Sequence, residues 1–179
     1  MLGGPRRALL DNYSNEGYLS REEAEALLNL VDELKTDLPI VEIGVFAAMT
    51  TALLAEYLQM NGRENKVIGV DVCKYVSNEK VLDRIKDYPN AKLIVGDSRD
   101  KAVIDQVKDI SLLFMDGGHY LDDVDKDITN WLPKVKEIVV FHDAYSNHHE
   151  HEVMKAIDKH KLKVEKSAGS IAVLRCSAS

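Results

Sequence analysis

Val41-Glu-Ile-Gly-Val-Phe-Ala-Ala-Met-Thr50 reads as a buried strand, a glycine turn and the first residues of a helix. Four further apolar runs follow, each ending near a carboxylate. They are Lys66-Val-Ile-Gly-Val-Asp71, Lys92-Leu-Ile-Val95 closed by Gly96-Asp97-Ser98, Ser111-Leu-Leu-Phe-Met-Asp116, and Glu137-Ile-Val-Val-Phe-His-Asp143. Between these runs, apolar residues recur at helical spacing: Leu53, Leu54, Tyr57 and Leu58; Val81, Leu82, Ile85 and Tyr88; Val124, Ile128, Trp131 and Leu132. Near-continuous apolar strands alternating with amphipathic helices predict a doubly wound α/β sheet, parallel and covered on both faces. In such a sheet the acids share one edge, and ligands bind in the crevice beyond the strands' carboxyl ends.

Both flanks extend this reading. Ser20-Arg-Glu-Glu23 is a capping-box pattern that opens a helix over about residues 20–36, with Ala24, Leu27, Leu28, Val31 and Leu34 on its apolar side. Residues 1–19 show no clear period and read as an arm or a flap, in which Tyr13 and Tyr18 either close over a ligand or pack down. The chain thus divides into an N-terminal arm and helix (1–37) and a core (38–179) within one domain. A short helix carrying Val103, Ile104 and Val107 is expected to start from a Ser98 cap, and another helix is expected over about 149–160. Lys161–Lys166 and Ser170–Arg175 are joined by too short a link for a parallel crossover, so they form a terminal antiparallel hairpin.

The totals narrow the classes of function. A chain of 179 residues with 45% apolar and 30% charged residues is ordinary for a globular domain. A net charge of -7 argues against a general nucleic-acid binder, which carries a basic face. No run approaches the roughly 20 apolar residues of a membrane helix, and the N-terminus lacks a signal-peptide core. Cys73 and Cys176 form no metal or redox motif and read as free thiols. A cytoplasmic location is expected.

The strand ends suggest a nucleoside. Gly44 allows close backbone approach at the start of a helix whose free amides point into the crevice. Phe46 and Ala47 stand where a dinucleotide fingerprint requires glycine, and no P-loop lysine follows. A carboxylate at Asp71 can accept from both hydroxyls of a ribose, and Asp97-Ser98 offers an adenine edge an acceptor and a donor. His148, His149 and His151 lack a zinc spacing and read as a polar loop. Asp122, Asp123, Asp125 and Asp127 read as the water-facing side of their helix.

Glu42-x-Gly44-x-x-x-Ala48-x-Thr50, Gly69-Val-Asp71, Gly96-Asp97-Ser98, Met115-Asp-Gly-Gly-His119 and Phe141-His-Asp143 together resemble class I S-adenosylmethionine-dependent methyltransferases. The likeness is to the small-molecule branch whose fourth strand ends Asp-Gly-x-His and whose fifth ends His-Asp, and it spans about residues 38–175. It implies a Rossmann-like sheet of seven strands in the order 3-2-1-4-5-7-6, with strand 7 antiparallel. It also implies cofactor binding by Glu42, Gly44, Phe46, Thr50, Asp71, Val72, Asp97, Ser98 and Asp116. The Glu42–Gly44 turn would face the methionine part, Asp71 the ribose, and Asp97 with Ser98 the adenine. The family commonly has glycine at the position of Ala48.

Asp116 and Asp143 would end neighbouring strands, where two close carboxylates repel unless a divalent cation such as Mg²⁺ relieves them. His119 and His142 are candidate general bases beside Asp116. The expected reaction is methyl transfer to a hydroxyl of a small molecule, a sugar or a secondary-metabolite diol, with a homo-oligomer as one arrangement that could complete the acceptor side. The alternatives are a nicotinamide-dependent oxidoreductase on a similar sheet, or a non-catalytic nucleoside-binding protein.

Overall fold

The computed structural model describes residues 4–14 and 19–176. Along the chain run α1 (Gly4–Ser14), α2 (Arg21–Asp32), β1 (Ile40–Ile43), α3 (Met49–Met60), β2 (Val67–Asp71), α4 (Asn78–Ile85) and β3 (Ala91–Val95). There follow α5 (Lys101–Ile104), β4 (Ile110–Met115), α6 (Leu121–Trp131), β5 (Val135–Phe141), α7 (Val153–Lys159), β6 (Lys166–Ala168) and β7 (Ile171–Arg175). The sheet order is β3-β2-β1-β4-β5-β7-β6. The first five strands pair parallel, and β7 runs antiparallel to both β5 and β6.

Register aligns the functional edge. Ile43 pairs with Val70 on one side and Met115 on the other, and Met115 pairs with Phe141. The next residues, Gly44, Asp71, Asp116 and His142, therefore stand in one row. The chain reverses direction across the sheet between β1 and β4, and the crevice opens there.

Side-chain alternation sends the strand residues to two cores. Ile40, Leu112, Phe114, Ile138 and Val140 pack with α1, α2 and α3 on one face. Val41, Ile43, Leu113, Val139 and Phe141 pack with α6 and α7 on the other. Trp131 of α6 is fully buried, and its indole N–H donates to the Ser98 carbonyl oxygen at 2.8 Å, tying α6 to the end of β3.

The capping box closes as read: Ser20 Oγ accepts from Glu23 N, and Ser20 N donates to Glu23 Oε2 at 2.8 Å. Several boundaries differ from expectation, α2 ending at Asp32 and α7 starting only at Val153 among them. Residues 4–14 form a helix despite their weak period, because Leu9, Leu10 and Tyr13 dock into the core, and packing outweighs propensity in so short a helix. Helix α5 starts after Asp100 rather than at Ser98, whose hydroxyl is engaged elsewhere. The terminal hairpin is tighter, with β6 starting at Lys166 and the turn at Gly169-Ser170. Tyr18 lies outside the described residues. Among those described, no helix is long and apolar enough to cross a membrane.

Candidate active site

Gly44 sits where the β1 and β4 turns meet. Its φ is +86°, and a Cβ there would lie 2.1 Å from the Asp116 carbonyl oxygen. Glycine is thus demanded by the crossing of two backbones, a stronger constraint than the approach of a ligand. Beneath this turn, Glu42 is 1% exposed and accepts from the Thr51 hydroxyl. Burial pushes its carboxyl well above the ordinary range, and the charges of Asp116 and Asp71 add to the effect. Thr50 is also buried, its hydroxyl 3.2 Å from that of Tyr13. Glu42 and Thr50 therefore support the turn from below. Gly44, Phe46, Asp71, Val72, Asp97, Ser98 and Asp116 line a crevice of about 550 Å³.

The acids at the first half of this edge are closed onto their own chain. Asp71 Oδ2 accepts from the amides of Val45 and Phe46 at 2.8 and 2.9 Å, and its Oδ1 from Cys73 N at 2.6 Å. Asp97 is gripped by Arg99, whose Nε and Nη2 donate at 2.8 and 2.6 Å. This holds the Asp97 carboxyl down at about 2. Ser98 Oγ donates to Asp127 Oδ1 at 2.6 Å.

At the second half the donors converge. Asp116 follows β4, His119 stands in the loop to α6, and His142 and Asp143 follow β5. One ligand atom from each of these four lies within 4.8 Å of the others. His142 Nδ1 is 2.9 Å from Asp116 Oδ1, and His119 Nε2 is 3.1 Å from Asp143 Oδ2. Despite these distances, neither nitrogen has a hydrogen-bond partner, and both atoms are buried. They are turned toward a common centre. Asp116 and then Asp143 lift the His119 imidazole to about 9. Burial alone would lower that of His142, but the same two carboxylates outweigh it and raise it to about 10. His119 and then His142 hold Asp143 far below the usual carboxylate range. Asp143 adopts this position with φ +54°, a left-handed conformation unusual for a residue with a side chain.

Residues 41–144 match a family model described as a methyltransferase domain. The chain belongs to that family. No curated protein matches it by sequence. Among solved structures, it is similar to the O-methyltransferase TomG from Streptomyces achromogenes, solved in complex with SAM, at TM-score 0.66 and 13% identity, with 99% of this chain and 92% of that one covered. A putative caffeoyl-CoA O-methyltransferase from Staphylococcus aureus gives 0.65 and 15%, covering 97% and 92%. The mycinamycin-pathway methyltransferase MycE, solved with Mg and SAH, gives 0.65 and 14%, covering 94% and 53%. At these identities the likeness establishes the shared fold.

Three residues of this methyltransferase domain have roles the sequence concealed. Asp127, expected to face water, is 5% exposed beneath the crevice, and burial raises its carboxyl to about 6 against the Ser98 hydrogen bond. Its place in an acidic run hid that turn of the helix. His151 leaves the polar loop to stack on His119 at 4.4 Å between ring centroids, with Nδ1 3.4 Å from Asp143 Oδ2; His148 and His149 are exposed, as expected. Glu23 adds to its capping role. Its Oε1 accepts from Ser170 N and Oγ, and its Oε2 lies 3.8 Å from His142 Nε2. Only the capping box was visible in sequence; the contact with the site arises from tertiary packing.

Proposed function

We propose that the protein transfers a methyl group from S-adenosylmethionine to a hydroxyl of a small molecule, a sugar or a secondary-metabolite diol, with help from a divalent cation. One observation carries the reading. The family's strand-end residues line a single crevice at the point where the sheet reverses, next to a convergent His/Asp cluster. The crevice falls within the roughly 300–1,000 Å³ typical of small-molecule pockets. TomG, MycE and the caffeoyl-CoA enzyme support the choice of acceptor class by analogy.

S-Adenosylmethionine, when bound, supplies an electrophilic methyl group on a sulfonium sulfur. The turn from Gly44 to Phe46 would border the methionine part, Asp71 would take the ribose, and Val72, Asp97 and Ser98 would flank the adenine. Because the Val45 and Phe46 amides already occupy Asp71 Oδ2, a ribose would have to shift that turn or use the one lone pair of Oδ1 that Cys73 N leaves free. The Arg99 grip on Asp97 leaves the carboxylate less available to the adenine amino group than the sequence alone implies.

The cluster fits a cation, because its buried imidazole nitrogens lack hydrogen bonds and point inward beside two carboxylates. Asp116, His119, His142 and Asp143 would hold it. A divalent cation in that position supplies Lewis acidity that lowers the pKa of an acceptor hydroxyl and orients its oxygen. His119 Nε2 and His142 Nδ1 are turned into the cluster, and so is His151 Nδ1, buried without a hydrogen-bond partner 3.4 Å from Asp143 Oδ2. The general-base role then falls to the other ring nitrogen of His151, which lines the crevice. Catalysis then rests mainly on alignment and removal of one proton.

Isothermal titration with S-adenosylhomocysteine tests the first half of the proposal. Saturable binding at micromolar levels is expected, and no heat at millimolar ligand would overturn it. Turnover with an identified acceptor should cease in chelator and return with added metal.

A further inference from the structure

We infer that the cluster selects an imidazole-preferring first-row transition ion, from Fe²⁺ to Zn²⁺, over Mg²⁺. The inference rests on the reading that the cluster holds a cation, and it adds which class of cation. Two strand-end carboxylates alone suit Mg²⁺, a hard ion that prefers oxygen ligands and keeps several of its waters. This chain instead aims two imidazole nitrogens at the same centre, and imidazole suits iron, nickel, copper and zinc.

The spacing agrees. Metal–ligand bonds of about 2.1 Å place adjacent donors about 3.0 Å apart in octahedral geometry and about 3.4 Å apart in tetrahedral geometry. The four nitrogen–oxygen edges of the cluster measure 2.9, 3.1, 3.4 and 3.6 Å. No hydrogen bond of good geometry fixes that convergence: His119 Nε2 and His142 Nδ1 are both buried without one and face the two carboxylates only as ion pairs, contacts that a cation would replace.

The surroundings hold the imidazoles in place. His119 is stacked on His151, and the His119 carbonyl oxygen accepts from Glu152 N at 2.8 Å, which ties its loop to the segment before α7. The His142 ring meets Phe114 edge-on, with Glu23 near its other nitrogen. Neither ring rests in a loose surface loop, so the nitrogen donors are preorganised for a cation that bonds to nitrogen. A cation that prefers water and carboxylate would leave them idle.

The test uses tag-free, chelator-stripped protein in which His148→Ala and His149→Ala remove the two exposed imidazoles nearby. Calorimetric titration should find one equivalent of Co²⁺ or Zn²⁺ bound at least about 100-fold more tightly than Mg²⁺. Cu²⁺ bound at the same site should show nitrogen coupling in its electron paramagnetic resonance spectrum. Replacing His119 or His142 by alanine should weaken Co²⁺ by at least about tenfold and leave Mg²⁺ affinity little changed. Mg²⁺ binding within tenfold of Co²⁺, or Cu²⁺ without nitrogen coupling, would overturn the inference and leave the cation reading intact. If no divalent ion binds at millimolar levels, both fall. The spectroscopic result on the unsubstituted cluster stands even if an alanine variant fails to fold.

Discussion

The two halves of the strand-end edge carry the same residue type and use it differently. Along β2 and β3, Asp71 is satisfied by three backbone amides and Asp97 by an arginine. Along β4 and β5, Asp116 and Asp143 face imidazole nitrogens that have no hydrogen-bond partner. A strand-end aspartate is therefore not a role in itself. Saturated by its own backbone, it shapes a turn and offers what lone pairs are left; set against converging imidazoles, it joins a compact His/Asp cluster.

Gly44 joins the halves, and the largest expected effect lies there. Gly44→Ala combines a φ of +86° with a Cβ 2.1 Å from a backbone oxygen that cannot move without displacing Asp116. A loss of about 4 kcal/mol or more is expected, the range reserved for overpacking and backbone strain acting together. Urea unfolding followed by circular dichroism measures it. Near-wild-type stability would mean that the β1 and β4 turns separate easily and that the two halves are structurally independent.

Asp127 breaks the contrast from inside the first half, being an acid whose burial outweighs both its hydrogen bond from Ser98 and the nearby charge of Arg99. Its carboxyl is raised to about 6 from 3.8, so folding favours its protonated form. That stability is fully present below pH 3.8 and is lost as pH rises through 6. The difference corresponds to about 3 kcal/mol at 1.36 kcal/mol per pH unit. Asp127→Asn can still accept from Ser98, so it should raise stability by up to that amount at pH 8 and by little at pH 4. Denaturant midpoints across this pH range give the answer, and an equal gain at both ends would remove burial of the charge as the cause.

A direct cross-test of the halves follows at a smaller scale. Asp71→Ala should weaken S-adenosylhomocysteine by about 10–100-fold, the value of charged hydrogen bonds of roughly 1.5–3 kcal/mol. Asp143→Asn should abolish cation binding and change S-adenosylhomocysteine affinity by no more than about threefold, because Asp143, unlike Asp116, is not part of the crevice lining. Calorimetry reads both ligands on both variants. Equal losses of both ligands in each variant would merge the two halves into one site.

The same contrast explains what was legible in the sequence. The doubly wound sheet, its terminal hairpin and the row of strand ends followed from apolar runs, helical spacing and a link too short for a crossover, all of which are local patterns; the strand order followed from the family resemblance. Asp71, Asp97, Asp116 and Asp143 were found because a strand end is a local feature too. Their partners were not, since Val45, Arg99 and the imidazoles reach them only through tertiary packing. His151 and Asp127 were misplaced for one reason. Each sits in a run of its own kind, three histidines in four positions and four aspartates in six, and composition averages over the member that turns inward. Tyr13 showed the opposite case, with too few apolar neighbours to mark a helix but enough to dock one.

The smallest expected effect is at Ala48, where the family resemblance implies a glycine. Ala48 has φ +59° and ψ +25° at the start of α3, a left-handed conformation that costs alanine about 1 kcal/mol or slightly more. Its methyl is fully buried with Val45, Val81 and Ile85, a contact worth about 0.8 kcal/mol. Glycine would relieve the strain, lose the methyl contact and gain freedom in the unfolded chain worth about 0.4–1 kcal/mol. These terms nearly cancel, so Ala48→Gly should move stability by no more than about 1 kcal/mol. The methyl belongs to a core cluster and not to the crevice lining, so S-adenosylhomocysteine affinity should change less than about twofold. A tenfold gain in affinity would show that this side chain reaches the ligand, and that the alanine limits the cofactor half of the edge and not only its packing.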